Sequence, residues 1–254
     1  GVVVRFDAKE ALEEQFANLQ KYGFASCQLC SWVPEVWTDE NAAYILSLTE
    51  KYGVRINSFW CGWEGPKEWN FYDGPLTLGL VPVEYRAMRV KNLCDGADFA
   101  HLLGVTDVVT HMGFIPEDPN DPLFAGFCIA VRTVARHLQK NGQYLLFETG
   151  QETPAAMLRC FEKVGTDNLG VNLDTANLIL YGKANPVDAL DVIKALRIGI
   201  ADYYQKPVDL NELLEGIQRQ EAILRERHKS DQLGHLNQKL QYLAESIDDL
   251  YQDM

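Results

Sequence analysis

At 254 residues with 47% hydrophobic side chains, the chain has room for one α/β barrel or two small domains and ample apolar surface for a buried core. A net charge of -13 argues against broad contact with nucleic-acid phosphates or anionic membranes, since both call for a basic surface. No apolar run reaches the roughly 18 to 20 residues that span a bilayer, and GVVVRFDAKE passes straight to charge without a signal-peptide layout; a cytoplasmic location is expected.

In chain order, an apolar β-rich run at 1–6 is followed by an amphipathic helical stretch at 8–22, and the pair repeats as strand 25–32 with helix 39–52. Strand 54–63 leads to helix 83–103, strand 107–113 to helix 123–140, strand 143–149 to helix 154–164, and strand 169–173 to helix 186–196. Several helices end on a glycine stop, as in LQKYGF, TEKYGV and HLLGV. Six βα units around a parallel sheet are therefore expected. Cys27 and Cys30 form a CxxC inside SCQLCSW, where strand alternation sends the two thiols to opposite faces. They and the other four cysteines, all inside apolar segments, read as buried structural thiols in preference to a redox pair or zinc ligands.

An open doubly wound sheet also alternates β and α, so alternation alone does not select a barrel. Two features favour one. The connection at 64–82, EGPKEWNFYDGPLTLGLVP, is long and aromatic, as befits a lid over the C-terminal mouth of a barrel. Polar residues also gather at strand C-termini, namely His111, Glu148 and Asp174, and that rim is where barrels assemble their sites. A carboxylate closing an apolar strand is costly to desolvate unless it is paired or holds a cation. Two of them on adjacent strands repel, and a divalent ion such as Mg2+, Mn2+ or Co2+ accounts for both. The equal alternative is that each caps the following helix or pairs with Arg or Lys.

The strings VVTHMGF, LLFETGQETP and NLDTANLILYGKANPVDAL, with EWNFYDGPLTLGLVP, resemble the xylose isomerase-like barrel family of sugar isomerases and sugar-phosphate epimerases, over residues 1–193. In that family a metal is held by a Glu after strand five, an Asp after strand six, a His near strand seven and a Glu on strand eight, and the two glutamates move the proton. The resemblance implies Glu148 as first metal ligand and catalytic acid/base, and Asp174 as second ligand. Asn177 stands where some members carry a substrate-touching His, and His111 is a further substrate candidate, its alternative being a hydrogen-bonded structural histidine. Gln151 and Glu152 follow on the same loop as pocket-lining candidates, Glu152 having the alternative of a first-turn helix carboxylate. Trp60, with Trp32 and Trp63, offers an apolar wall for a sugar face, at least one of the three belonging to the barrel core.

After Asp191 the expected seventh strand with its His and eighth strand with its Glu do not appear. ALRIGIADYYQKPVDLNELLEGIQRQ instead resembles the last βα unit of response-regulator receiver domains, with a strand at 200–204, Lys206 and Pro207, and a helix at 210–219. No acidic pair or phosphoacceptor Asp precedes it on receiver-like strands, so phosphotransfer is not expected. The expected layout is a barrel portion at 1–193, a receiver-like unit at 194–223 and an amphipathic helical tail at 224–254. That makes an α/β, TIM-barrel-like fold, incomplete or closed by a flavodoxin-like βα unit. The junction near 188–198 suggests a natural or engineered chimera. In the tail, Leu233, Leu236, Leu240, Leu243, Ile247 and Leu250 wind one apolar stripe, which either pairs with a second copy, the favoured reading, or folds back over the gap. His228 and His235 lie in that polar helical region, without the strand-end setting of a ligand.

The functional expectation is a recombined scaffold from a divalent-metal-dependent sugar isomerase or epimerase, with catalysis reduced or lost because two of four metal ligands are missing. One alternative is an active enzyme on a sugar or sugar phosphate, completing its site from the tail or another chain. Another is a non-enzymatic assembly module that uses the C-terminal helix.

Overall fold

The computed structural model describes residues 2–195. They lie within the first of two units into which the chain divides, Gly1–Ile200 and Ala201–Met254. The receiver-like unit beyond residue 195, Lys206, Pro207, His228, His235 and the apolar stripe at 233–250 lie outside the described residues.

Six strands, β1 (Val2–Arg5), β2 (Ser26–Ser31), β3 (Arg55–Cys61), β4 (Asp107–Thr110), β5 (Tyr144–Glu148) and β6 (Leu169–Asn172), form one sheet in the order β1-β2-β3-β4-β5-β6. Every pairing is parallel. This order decides between the two α/β architectures. Right-handed crossovers between successive neighbours keep all helices on one side of the sheet, whereas a doubly wound sheet needs a reversal of strand order. The helices are α1 (Leu12–Lys21), α2 (Asp39–Tyr52), α3 (Gly74–Thr77), α4 (Val83–Leu102), α5 (Pro122–Lys140), α6 (Pro154–Val164), α7 (Thr175–Leu180) and α8 (Pro186–Ala195). Among the described residues the sheet is not closed on itself, since β1 and β6 are its two outer strands. None of these helices is long and apolar enough to cross a membrane.

Local chemistry sets the helix ends. Thr38 Oγ1 accepts from the Asn41 N–H at 3.3 Å to start α2, and Gly53, with φ 64°, stops it. Thr153 and Gly165 do the same for α6. The main core lies between the helices and the outer sheet face, built on Phe6, Phe16, Leu29, Phe59, Phe99 and Phe127. A second, smaller cluster on the inner face joins Cys30, Trp60 and Val109, with Trp32 and Leu146 against it. Cys27 belongs to the outer core and Cys30 to the inner cluster, the opposite facing expected of a CxxC on a strand. Burial pushes their thiols up to about 12 and about 11, which leaves both as inert protonated groups.

The strands are one to three residues shorter than expected at their ends. The largest difference at any one end is in β4, read from the sequence as 107–113 and ending at Thr110. The cause is a backbone crossing. Met112 accepts from the Leu80 N–H at 3.1 Å, so the end of the lid segment takes over the pairing that a longer strand would have offered. Both crossing partners are glycines at positive φ, Gly79 (67°) and Gly113 (87°). A Cβ on Gly79 would stand 2.0 Å from the Met112 backbone, and one on Gly113 2.2 Å from the Leu78 carbonyl oxygen. Only glycine permits that approach.

Candidate active site

Side chains alternate along a strand, so the residues lining the inner face fix which residues reach the rim. Cys30, Trp60, Val109, Leu146 and Gly170 are register partners across β2 to β6 and form one inner layer. Two residues on, the same phase delivers His111, Glu148 and Asn172 to the C-terminal rim, with Asp174 two further. This parity is why His111 and Glu148, on neighbouring strands, meet at 3.3 Å.

Glu148 is the centre of the arrangement, its side chain only 15% exposed. Its Oε2 accepts from the Trp60 indole N–H and, at 3.1 Å, from the Asn172 amide. Its Oε1 lies 3.3 Å from His111 Nε2. The imidazole stands edge-on to two indoles, Trp60 at 5.7 Å and Trp69 at 5.0 Å between ring centroids. Its Nδ1 is buried and has no hydrogen-bond partner.

Asp174 takes the helix-capping alternative. Its Oδ1 accepts from the N–H groups of Ala176 at 2.8 Å and Asn177 at 3.1 Å, and so begins α7, an element the sequence reading passed over. Its backbone is locked to the exit of β5, because Thr149 Oγ1 accepts from the Asp174 N–H at 2.8 Å and donates to the Asp174 carbonyl at 3.0 Å. Asn177 Nδ2 donates to the Thr149 carbonyl at 3.2 Å, which sets that residue beside Gly150 and the His111 ring.

Glu152 is not a first-turn carboxylate, since α6 begins at Pro154 behind its Thr153 cap. It is turned inward and 1% exposed, Oε1 accepting from the Gly150 N–H at 3.3 Å and Oε2 unpartnered. Burial raises its carboxyl to about 7, with the nearby His111 opposing the rise. Gln151 is equally buried, and neither its carboxamide nitrogen nor its oxygen has a partner. Buried polar atoms without partners are uncommon and each costs about 1–3 kcal/mol; three of them, Gln151 Nε2 and Oε1 and Glu152 Oε2, lie on the loop after β5.

Of the three tryptophans expected to form an apolar wall, Trp60 and Trp32 pack at a tilt with ring centroids 4.7 Å apart by the rim, while Trp63 is fully buried beneath the lid. Arg89 of α4, also fully buried, lies over Trp63 at 4.0 Å and donates to the carbonyls of Glu64 at 3.2 Å, Pro66 at 2.7 Å and Gly79 at 2.7 Å. It thereby ties down both ends of the lid segment. The sequence reading passed over Asn172, Arg89 and Trp69. Trp69, 43% exposed, reaches from the lid onto His111, and only the aromatic content of the segment had signalled it. A cleft of about 490 Å3 lined by Leu46, Glu50, Arg55 and Leu103 lies at the opposite, N-terminal end of the sheet, where barrels keep structure and not chemistry.

Carboxylates are hard oxygen donors suited to a divalent cation, and Glu148 and Asp174 stand at neighbouring strand ends. Their disposition fits such an ion in part only. Glu148 Oε2 and Asp174 Oδ1 are engaged by N–H donors, and among the described residues no group of three His, Cys, Asp or Glu side chains is gathered to hold a metal. The described residues do not make a complete shell.

The family described as xylose isomerase-like TIM barrel matches residues 16–238. A xylose isomerase domain protein from Planctomyces limnophilus is 31% identical, with a TM-score of 0.70 over 77% of this chain and 68% of that one. A xylose isomerase-like TIM barrel protein from Mycobacterium smegmatis in complex with magnesium shares the fold at 19% identity and a TM-score of 0.55, covering 74% of this chain and 64% of that one. D-psicose 3-epimerase from Clostridium cellulolyticum with D-tagatose shares it at 14% identity and a TM-score of 0.56, covering 77% and 69%. A stretch of 65 residues, a quarter of this chain, is 54% identical to the two-component response regulator PprB of Pseudomonas aeruginosa and spans only 24% of that protein. The fold, the sheet order and these matches agree that the chain belongs to the xylose isomerase-like TIM barrel family.

Proposed function

We propose that this chain is a sugar-binding scaffold recombined from a divalent-metal-dependent sugar isomerase or epimerase, retaining one proton-moving carboxylate and turning over slowly or not at all. The observation that carries the reading is the seating of Glu148. Two N–H donors fix Oε2, so Oε1 is the oxygen presented beside His111. As a base it would break the C–H bond next to a sugar carbonyl, and the electron pair would pass to the carbonyl oxygen. Return of the proton to the opposite face needs a second group, which the family takes from a glutamate on strand eight and which the described residues do not supply. Groups that act as a unit lose most of their effect together, so a steep fall in rate follows. Glu148 and Asp174 are the two ligands that remain for Mn2+, Co2+ or Mg2+, weakly held. His111, Gln151, Glu152, Asn177 and Trp60 are the substrate contacts.

The receiver-like segment is the second parent in this reading, supported by the identity with the response regulator. The test combines metal content by mass spectrometry after dialysis with proton exchange of D-fructose in deuterated water, followed by NMR. Substoichiometric metal and exchange that is slow and lost in E148Q support the proposal. Stoichiometric Mn2+ or Co2+ with rapid epimerisation would overturn it in favour of a working enzyme.

A further inference from the structure

The tip of the lid segment, residues 68–77, is bonded to itself and not to the body. Thr77 Oγ1 accepts from the Glu68 N–H at 3.1 Å and donates to the Asp73 carbonyl at 2.9 Å, which closes the tip across its base. Asn70 Oδ1 accepts from the N–H groups of Tyr72 at 2.8 Å and Asp73 at 2.7 Å, and the Asn70 carbonyl accepts from the Gly74 N–H at 3.1 Å. Among the described residues, no hydrogen bond made by 68–77 reaches beyond Leu78. The flanks are the opposite case, since Arg89 binds the carbonyls of Glu64 and Pro66 before the tip and of Gly79 after it.

Rings seat the tip on the rim. Trp69 meets Trp32 at 6.2 Å, Trp63 at 6.5 Å and His111 at 5.0 Å, and Phe71 meets Tyr181, the residue that ends α7, at 5.3 Å. The outer side is already in water, with Phe71 61% and Tyr72 87% exposed. A unit that carries its hydrogen bonds with it loses only apolar and ring contact when it lifts, and strands no backbone group. Lifting is therefore far cheaper than unfolding the segment. Beneath it, His111 is 5% exposed and Trp60 7%. A ligand as large as a sugar ring cannot lie against the His111 face that the Trp69 ring occupies.

We propose that residues 68–77 form a gate that swings as one body between flanks held by Arg89, with Trp69 as the plug over His111 and the Phe71–Tyr181 contact as the latch. Shut, it keeps bulk water from His111 and Glu148; open, it admits the ligand. The gate concerns access to these side chains and does not rest on the sugar reading. The test labels the histidines of the full chain with diethylpyrocarbonate, follows each by mass spectrometry, and measures amide hydrogen exchange over 70–76 beside it. His101, exposed at the end of α4, is the internal reference. The expected result in wild type is labelling of His111 at least ~10-fold slower than of His101. F71A and Y181L should each speed it about 5-fold and W69A at least ~10-fold, with His101 unchanged. Among the described residues the one ring partner of Phe71 is Tyr181, so F71A reaches His111 through the tip. Exchange over 70–76 should stay as in wild type, because those bonds travel with the gate. Unchanged His111 labelling in F71A and Y181L overturns the gate. Faster labelling matched by faster exchange over 70–76 overturns the swing as one body, since the tip then opens by unfolding. Should W69A also change His101, the two latch variants decide by the same criteria.

Discussion

Glu152 carries the clearest electrostatic signature of any single residue. Its carboxyl titrates at about 7 in the folded chain against 4.5 unfolded, because burial disfavours the ion. Well below pH 4.5 it is neutral in both states and ionisation adds no penalty. Between pH 4.5 and about 7 the unfolded chain releases the proton while the folded chain keeps it, so stability falls as pH rises, and above about 7 the full penalty is in place. At about 1.4 kcal/mol per unit the penalty is on the order of 3 kcal/mol. Chemical denaturation of E152Q against wild type should therefore show a gain that grows across this window and then levels; a difference independent of pH would refute the assignment. Glu148 was legible from its place at the end of an apolar strand, and Cys27 and Cys30 from strand parity. Asn172 and Trp69 were not, because each is defined by what stands across the sheet or above it.

Among the elements, the lid segment shows how tertiary contacts replace local propensity. Its only regular structure is the four-residue α3, and it is held from outside by Arg89 and by the crossing of Gly79 over Gly113. Gly79→Ala should lower stability by at least ~2 kcal/mol in urea denaturation, since it adds strain at positive φ and a clash with backbone. Arg89→Met keeps the apolar stem but leaves three carbonyls without their donor. It should cost about 3 kcal/mol and speed proteolytic cleavage within 64–79, read by mass spectrometry. Helix α2 offers a local control: Thr38→Ala removes one cap and should cost only ~1 kcal/mol. Helix positions were legible to within a few residues because caps and glycine stops are written locally. The exit of β4 was not, since its end depends on a segment thirty residues earlier.

At the scale of the molecule, the sequential parallel order makes a barrel wall with helices outside and the candidate site at one rim. The stripe from Leu233 to Leu250 lies outside the described residues, and its period predicts a homodimer. Light scattering should report a dimer for the full chain and a monomer for a chain truncated after Ile223; a dimer in both would remove the tail from assembly.

The sequence by itself determined the alternation of strands and helices, the parity that sends Glu148 and Asp174 to one rim, and the motifs of the family. Each is a short-range pattern that needs only period and neighbouring residues. Tertiary structure alone decided that the strands follow in order, which makes the sheet barrel-like, and that Asp174 spends one oxygen capping a helix. It also decided that Trp60, His111 and Asn172 meet around Glu148, because strand parity says which face a side chain takes and only packing says whom it meets there.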